Sequence, residues 1–132
     1  MNDPHLGFIG LGQIGAPMAK RWRSWPGGLT VFDVVEAATA PFAEAGAHVA
    51  ASPVGVAERA TVISLMVRDD AQVREVVAGP DGILATASAG TVVIIHSTVE
   101  ADTPAEIAAL CAPHGVAVLD APVSGGAMGA HE

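Results

Sequence analysis

Basic residues are scarce in this 132-residue chain: six Lys and Arg stand against fourteen Asp and Glu, giving a formal net charge of −8. Nucleic acid demands a clustered basic surface, which six scattered cations cannot build, so a nucleic-acid partner is excluded. Cysteine occurs once, at Cys111. A lone thiol rules out an internal disulfide and fits a reducing compartment, and its place in the pattern predicts a small buried helix residue. No apolar run approaches a membrane span, and the N-terminus lacks the basic-then-apolar order of a secretory signal. The expected location is therefore cytoplasmic, with no membrane partner. His5, His48, His96, His114 and His131 lack metal-ligand spacing, so no metal is expected. Ser124 is not flanked as a nucleophile elbow requires, which argues against a serine hydrolase.

What remains is aliphatic. The chain is 51% hydrophobic and 4% aromatic, a composition suited to helices covering a parallel sheet on both faces, and its length predicts one domain over residues 1–132. Near its start stands Gly7-Phe8-Ile9-Gly10-Leu11-Gly12-Gln13-Ile14-Gly15, a glycine-rich turn after an apolar strand. Gly10 lets the strand turn sharply, Gly12 lets bare backbone approach a pyrophosphate, and Gly15 lets the next helix pack closely. A helix opening near Gln13 aims its unpaired N–H groups and positive dipole end at that pyrophosphate. The next strand, Leu29-Thr30-Val31-Phe32, ends in Asp33. A carboxylate roughly 20 residues after the glycines is placed to accept a ribose 2′-hydroxyl and to repel a 2′-phosphate. Val34 and Val35 follow with no cation nearby. NAD is therefore expected in preference to NADP.

Farther along, strands alternate with helices. Helical spacing covers residues 16–25 and 36–45, the latter stopped by Gly46, and a short strand follows at 47–50. Ser52-Pro53 predicts an N-cap and first-turn proline for a helix to Arg59. Residues 61–67 read as a buried strand, and Asp69 and Asp70 open a helix whose apolar face is Val73, Val76 and Val77. Strands at 91–95 and 116–120 flank a helix over 103–114, for which Thr103 and Glu106 predict a capping box. Six strands joined by right-handed crossovers give the order 3-2-1-4-5-6, with a ligand at the carboxyl edge, where Asp33, Val67, residues 96–98 and Asp120 fall.

Three stretches carry a family resemblance: the glycine run with its extension Ala16-Pro17-Met18-Ala19, the pair Ser97-Thr98, and Leu119-Asp120-Ala121-Pro122-Val123-Ser124-Gly125-Gly126. With them the chain resembles the N-terminal half of a β-hydroxyacid dehydrogenase, of the 3-hydroxyisobutyrate and tartronate semialdehyde reductase kind. The resemblance implies a Rossmann-type doubly wound α/β fold and an oxidoreductase that moves a hydride between NAD and a short 3-hydroxy acid. It places Gly10, Leu11, Gly12, Gln13, Ile14, Gly15, Asp33, Val67, Arg68, Gln72 and Thr98 against the cofactor. Ser124, Gly125 and Gly126 receive the substrate carboxylate, a hydroxyl beside two accessible backbone N–H groups, while Asp120 holds that loop by hydrogen bonds to backbone. Arg68 departs from the family's usual Leu-Pro, and His96 stands where Asp is commoner and reads as a structural residue. Imine reductases and 6-phosphogluconate dehydrogenases share the cofactor fold, but the stretch from Asp120 to Gly126 fits them less well.

The resemblance also implies a second, all-helical domain carrying the lysine that serves as general acid or base. The sequence ends at Glu132, and its one lysine, Lys20, lies in the first helix. The expectation is a truncated cofactor domain with no catalytic residue and no useful turnover alone, self-associating through the surface left bare or ending in a disordered tail. The competing reading is a stand-alone, non-catalytic dinucleotide-binding or interaction module. A helical extension with an early lysine in the gene supports the first, and a stop codon after Glu132 supports the second.

Overall fold

In a computed structural model, which describes residues 3–122, short apolar strands alternate with short helices. They are β1 (Leu6–Ile9), α1 (Gly15–Lys20), β2 (Leu29–Phe32), α2 (Ala40–Glu44), β3 (His48–Val49), α3 (Pro53–Arg59), β4 (Val62–Leu65), α4 (Asp70–Ala78), β5 (Val92–Ile95), α5 (Thr103–Cys111) and β6 (Ala117–Asp120). The strands pair in parallel in the order β3-β2-β1-β4-β5-β6, the doubly wound Rossmann-type order expected from the sequence. The order reverses at β1, whose neighbours are β2 and β4, so a crevice opens above its carboxyl end.

Strand periodicity divides the core in two. Leu6, Phe8, Leu29 and Val31 join Leu11, Ala19 and Phe42 on the α1 and α2 side. Ile9, Ile63, Leu65, Val93 and Ile95 meet Val56, Val73, Val77, Ile107 and Cys111 on the α3, α4 and α5 side. Cys111 is buried and unbridged, as expected, and burial pushes its thiol pKa up.

Four local expectations need correction. The helix read over 16–25 ends at Lys20; beyond it, Arg21, Trp22, Arg23 and Trp25 donate to carbonyls three residues back. This tighter winding brings the Trp22 ring within 5.8 Å of Phe8 and lets the Trp25 indole donate to the Pro4 carbonyl. Residues 36–45 begin with a tight turn, Glu36–Thr39, before α2, because Pro41 has no N–H to continue an α-helical ladder. Ser52 sits at the N-cap position of α3, but its side chain makes no capping bond. The capping box of α5 is absent, since Asp102 occupies the N-cap position without a side-chain cap. Thr103 instead donates its hydroxyl to Asp70, and Glu106 pairs with Arg74 at 2.6 Å. The residues expected to close α5 on itself tie it to α4.

On the sheet face opposite α5, the half-buried Val92 and Ile94 adjoin Leu119, the strand partner of Ile94. Leu119 is 55% exposed.

Candidate functional site

The site starts with the turn after β1. Gly10 has φ +102°, and a Cβ there would collide with the Met66 carbonyl. Any other residue would push β1 and β4 apart. A Cβ on Gly15 would strike the carbonyl of Gly10, so α1 approaches the turn as closely as the sequence reading required. Gly12 differs, because a Cβ there would meet nothing within 4 Å. No protein atom demands glycine at that position, and its bare face opens on the cleft.

Asp33 braces the turn from β2. One carboxylate oxygen accepts the Leu11 N–H at 2.6 Å and the other accepts the Val35 N–H at 2.8 Å. A strand-end acid thus holds two loops in register through charge-assisted hydrogen bonds. Among the described residues, the N–H groups of Gly12, Gln13 and Ile14 have no protein acceptor, consistent with the open first turn of a helix.

The far wall comes from the loop after β4. The Val67 N–H donates to the buried Ser97 hydroxyl at 2.9 Å, and the Arg68 N–H donates to the Gln72 side-chain oxygen at 2.7 Å. Asp69 caps α4 by accepting the Gln72 N–H at 2.9 Å. Asp70 accepts the Glu100 N–H at 3.0 Å and the Thr103 hydroxyl. Those two bonds, led by Thr103, hold the Asp70 carboxyl below its ordinary pKa. The loops carrying Val67 and Thr98 are therefore laced together from both sides.

Two cavities of about 380 Å³ each meet at this turn. The first lies between Asp33, Val34 and Val35 on one side and Val67, Arg68 and Gln72 on the other. The second runs past Gln13, Ile14 and Gly15 to Thr98. Gly10, Gly12, Gln13, Ile14, Gly15, Asp33, Val67, Arg68, Gln72 and Thr98 all line one or both; Leu11 joins through its bond to Asp33. Ser124, Gly125 and Gly126 lie outside the described residues, as do the backbone partners expected for Asp120. Sequence reasoning missed the bracing role of Ser97, although Ser97-Thr98 was singled out as a motif. It also missed Met66, which lines both cavities as the first residue beyond β4. A hydroxyl two residues past a strand end was the available signal for Ser97.

The fit to a dinucleotide rests on these features: an open glycine face, a carboxylate at the β2 edge and a cleft with an aliphatic flank. His96 stands beside the cleft as a structural residue. Its ring stacks on Phe8 at 6.4 Å, and its Nδ1 and Nε2 lie 2.9 Å from the Ala121 carbonyl and 3.2 Å from the Ser64 hydroxyl. Burial lowers its pKa against the pull of the Ala121 bond. Ser64 is fully buried, so the Nε2 end of the His96 ring points into the interior, while the ring keeps part of its surface exposed.

Residues 5–132 match the family described as the NAD binding domain of 6-phosphogluconate dehydrogenase. The chain belongs to that family. This NAD-binding domain is 54% identical over 127 residues to an uncharacterized oxidoreductase of Mycobacterium tuberculosis, covering 96% of this chain and 43% of the relative. Its fold matches the solved Mycobacterium tuberculosis 3-hydroxyisobutyrate dehydrogenase with L-serine, at TM-score 0.87 and 34% identity over 99% of this chain and 44% of that one. It also matches the structure of Psf3 in complex with NADP+ and 2-OPP, at TM-score 0.87 and 28% identity over 96% of this chain and 45% of that one. The domain thus spans less than half the length of these relatives. The likeness to β-hydroxyacid dehydrogenases read from the sequence is borne out by the second match, under a family name taken from the enzyme judged a poorer fit. No helix among the described residues is long and apolar enough to cross a membrane.

Proposed function

We propose that this chain binds NAD in preference to NADP and serves as the cofactor-binding part, one domain over residues 1–132, of an oxidoreductase acting on a short 3-hydroxy acid of the 3-hydroxyisobutyrate kind. The single observation that carries the cofactor reading is the Asp33 carboxylate beside Val34 and Val35, 78% and 59% exposed, lining the same cavity as Gly12. Each Asp33 oxygen accepts one backbone N–H and keeps a further lone pair for a ribose hydroxyl. A 2′-phosphate would meet that negative charge between two aliphatic side chains.

Bound NAD supplies the hydride acceptor. This chain's residues bind and orient it: the glycine turn from Gly10 to Gly15 receives the pyrophosphate, Val67, Arg68 and Gln72 form the opposite wall, and Thr98 lies beside the nicotinamide. Ser124, Gly125 and Gly126 are assigned to the substrate carboxylate on the motif alone. No residue of this chain is assigned as proton carrier, so the chain by itself has no useful turnover. A cytoplasmic setting fits its single buried thiol. The cofactor reading is tested with an NAD analogue lacking the adenosine 2′-hydroxyl. Its affinity falls about tenfold below that of NAD, the worth of one hydrogen bond to a charged acceptor; equal affinities overturn the role of Asp33.

The apolar strip of Val92, Ile94 and Leu119 favours a second copy of the chain as partner. Light scattering of the intact chain then reports a dimer, and Leu119→Glu returns it to monomers. A monodisperse monomer in the unmodified chain overturns this pairing.

A further inference from the structure

The two cavities share four lining residues, Gly12, Met66, Val67 and Arg68. In a dinucleotide the group shared by the adenosine and nicotinamide halves is the pyrophosphate, so the shared wall marks where that group lies. Three of the four are uncharged. Among the described residues, Arg68 is the only cation lining either cavity, and its guanidinium makes no hydrogen bond or ion pair there. Its backbone is fixed, because Gln72 Oε1 accepts the Arg68 N–H at 2.7 Å and the Ser97 hydroxyl holds the preceding Val67 N–H at 2.9 Å. On the same shared wall, Gly12 presents backbone with empty space in front of it. The glycine turn contributes no side-chain charge, since Leu11, Gln13 and Ile14 are neutral.

Resting on the reading that the cleft holds NAD, we propose that Arg68 clamps the pyrophosphate from the β4 side, its guanidinium and the bare backbone at Gly12 enclosing the two phosphates between them. A planar guanidinium offers paired N–H donors to phosphate oxygens, a geometry that lysine matches only as a point charge. In a chain of net charge −8, whose first cavity also carries Asp33 and Glu75, this cation offsets the repulsion that an anionic cofactor meets on entry.

The test is calorimetric titration of the intact chain and of Arg68→Ala and Arg68→Lys with NAD, ADP-ribose and adenosine. Arg68→Ala weakens NAD and ADP-ribose about tenfold, Arg68→Lys recovers part of that loss, and adenosine, which has no phosphate, binds all three proteins alike. Raising salt weakens NAD binding to the intact chain more steeply than to Arg68→Ala. An equal loss for adenosine would put Arg68 on the base and overturn the clamp; so would unchanged NAD affinity in Arg68→Ala. If the intact chain binds neither NAD nor ADP-ribose, the dinucleotide reading falls and the clamp falls with it.

Discussion

Asp33 reaches back to Leu11 at 2.6 Å, so the acid that lines the cleft also fixes the glycine turn. Removing it therefore acts twice. Asp33→Ala leaves the Leu11 and Val35 N–H groups without their acceptor and lowers stability by roughly 1–3 kcal/mol, the scale of hydrogen bonds to a charged group, and NAD affinity falls with it. Asp33→Asn, which keeps one acceptor oxygen, recovers part of the stability and little of the affinity. Urea unfolding and NAD titration of the two variants check this.

The glycines separate in the same way. Gly10→Ala forces a side chain into a left-handed backbone against the Met66 carbonyl and destabilises by at least about 1–2 kcal/mol. Gly12→Ala has open space and leaves the urea midpoint nearly unchanged, while NAD affinity drops because the methyl occupies the cofactor's room. Loss of stability in Gly12→Ala without loss of affinity would mean the opening serves the protein alone.

Ser97→Ala removes the acceptor of the Val67 N–H. Stability falls by about 1 kcal/mol, and NAD affinity falls as the far wall loosens. Ser97→Thr restores the acceptor and much of the affinity, as titration and thermal unfolding can show.

His96 gives the domain a stability that depends on pH. Its folded-state pKa is lowered from 6.5, first by burial, so the folded state resists protonation. The sign follows directly: its contribution is fully present above about pH 6.5 and is lost as pH falls below that value toward the lowered folded-state pKa. His96→Phe keeps the ring against Phe8 and abolishes this part of the acid slope. Chemical denaturation between pH 5 and 8, compared between the two proteins, reads the difference.

The strand order, the switch point and the glycine turn were legible because they rest on local signals: apolar runs of strand length, glycines at fixed offsets and an acid at a strand end. Helix ends were less legible. The tighter winding after Lys20 goes with Trp22 finding Phe8, and the loss of the α5 capping box goes with Thr103 and Glu106 finding Asp70 and Arg74 on another helix. A capping box is local, so a stronger partner brought by tertiary packing can take its residues. Ser97 was visible as a motif and silent as to role, because its partner Val67 lies 30 residues away. Asp33 was read as a ligand for ribose, while its bonds to Leu11 and Val35 emerged only in three dimensions.

The most direct measurement is calorimetric titration of this chain with NAD and, separately, with NADP. NAD binds, and NADP binds at least tenfold more weakly, with the gap narrowing in Asp33→Ala as the repelling charge is lost. NADP binding as tightly as NAD, or a gap indifferent to Asp33→Ala, would contradict the assignment of Asp33 as the residue that selects the cofactor.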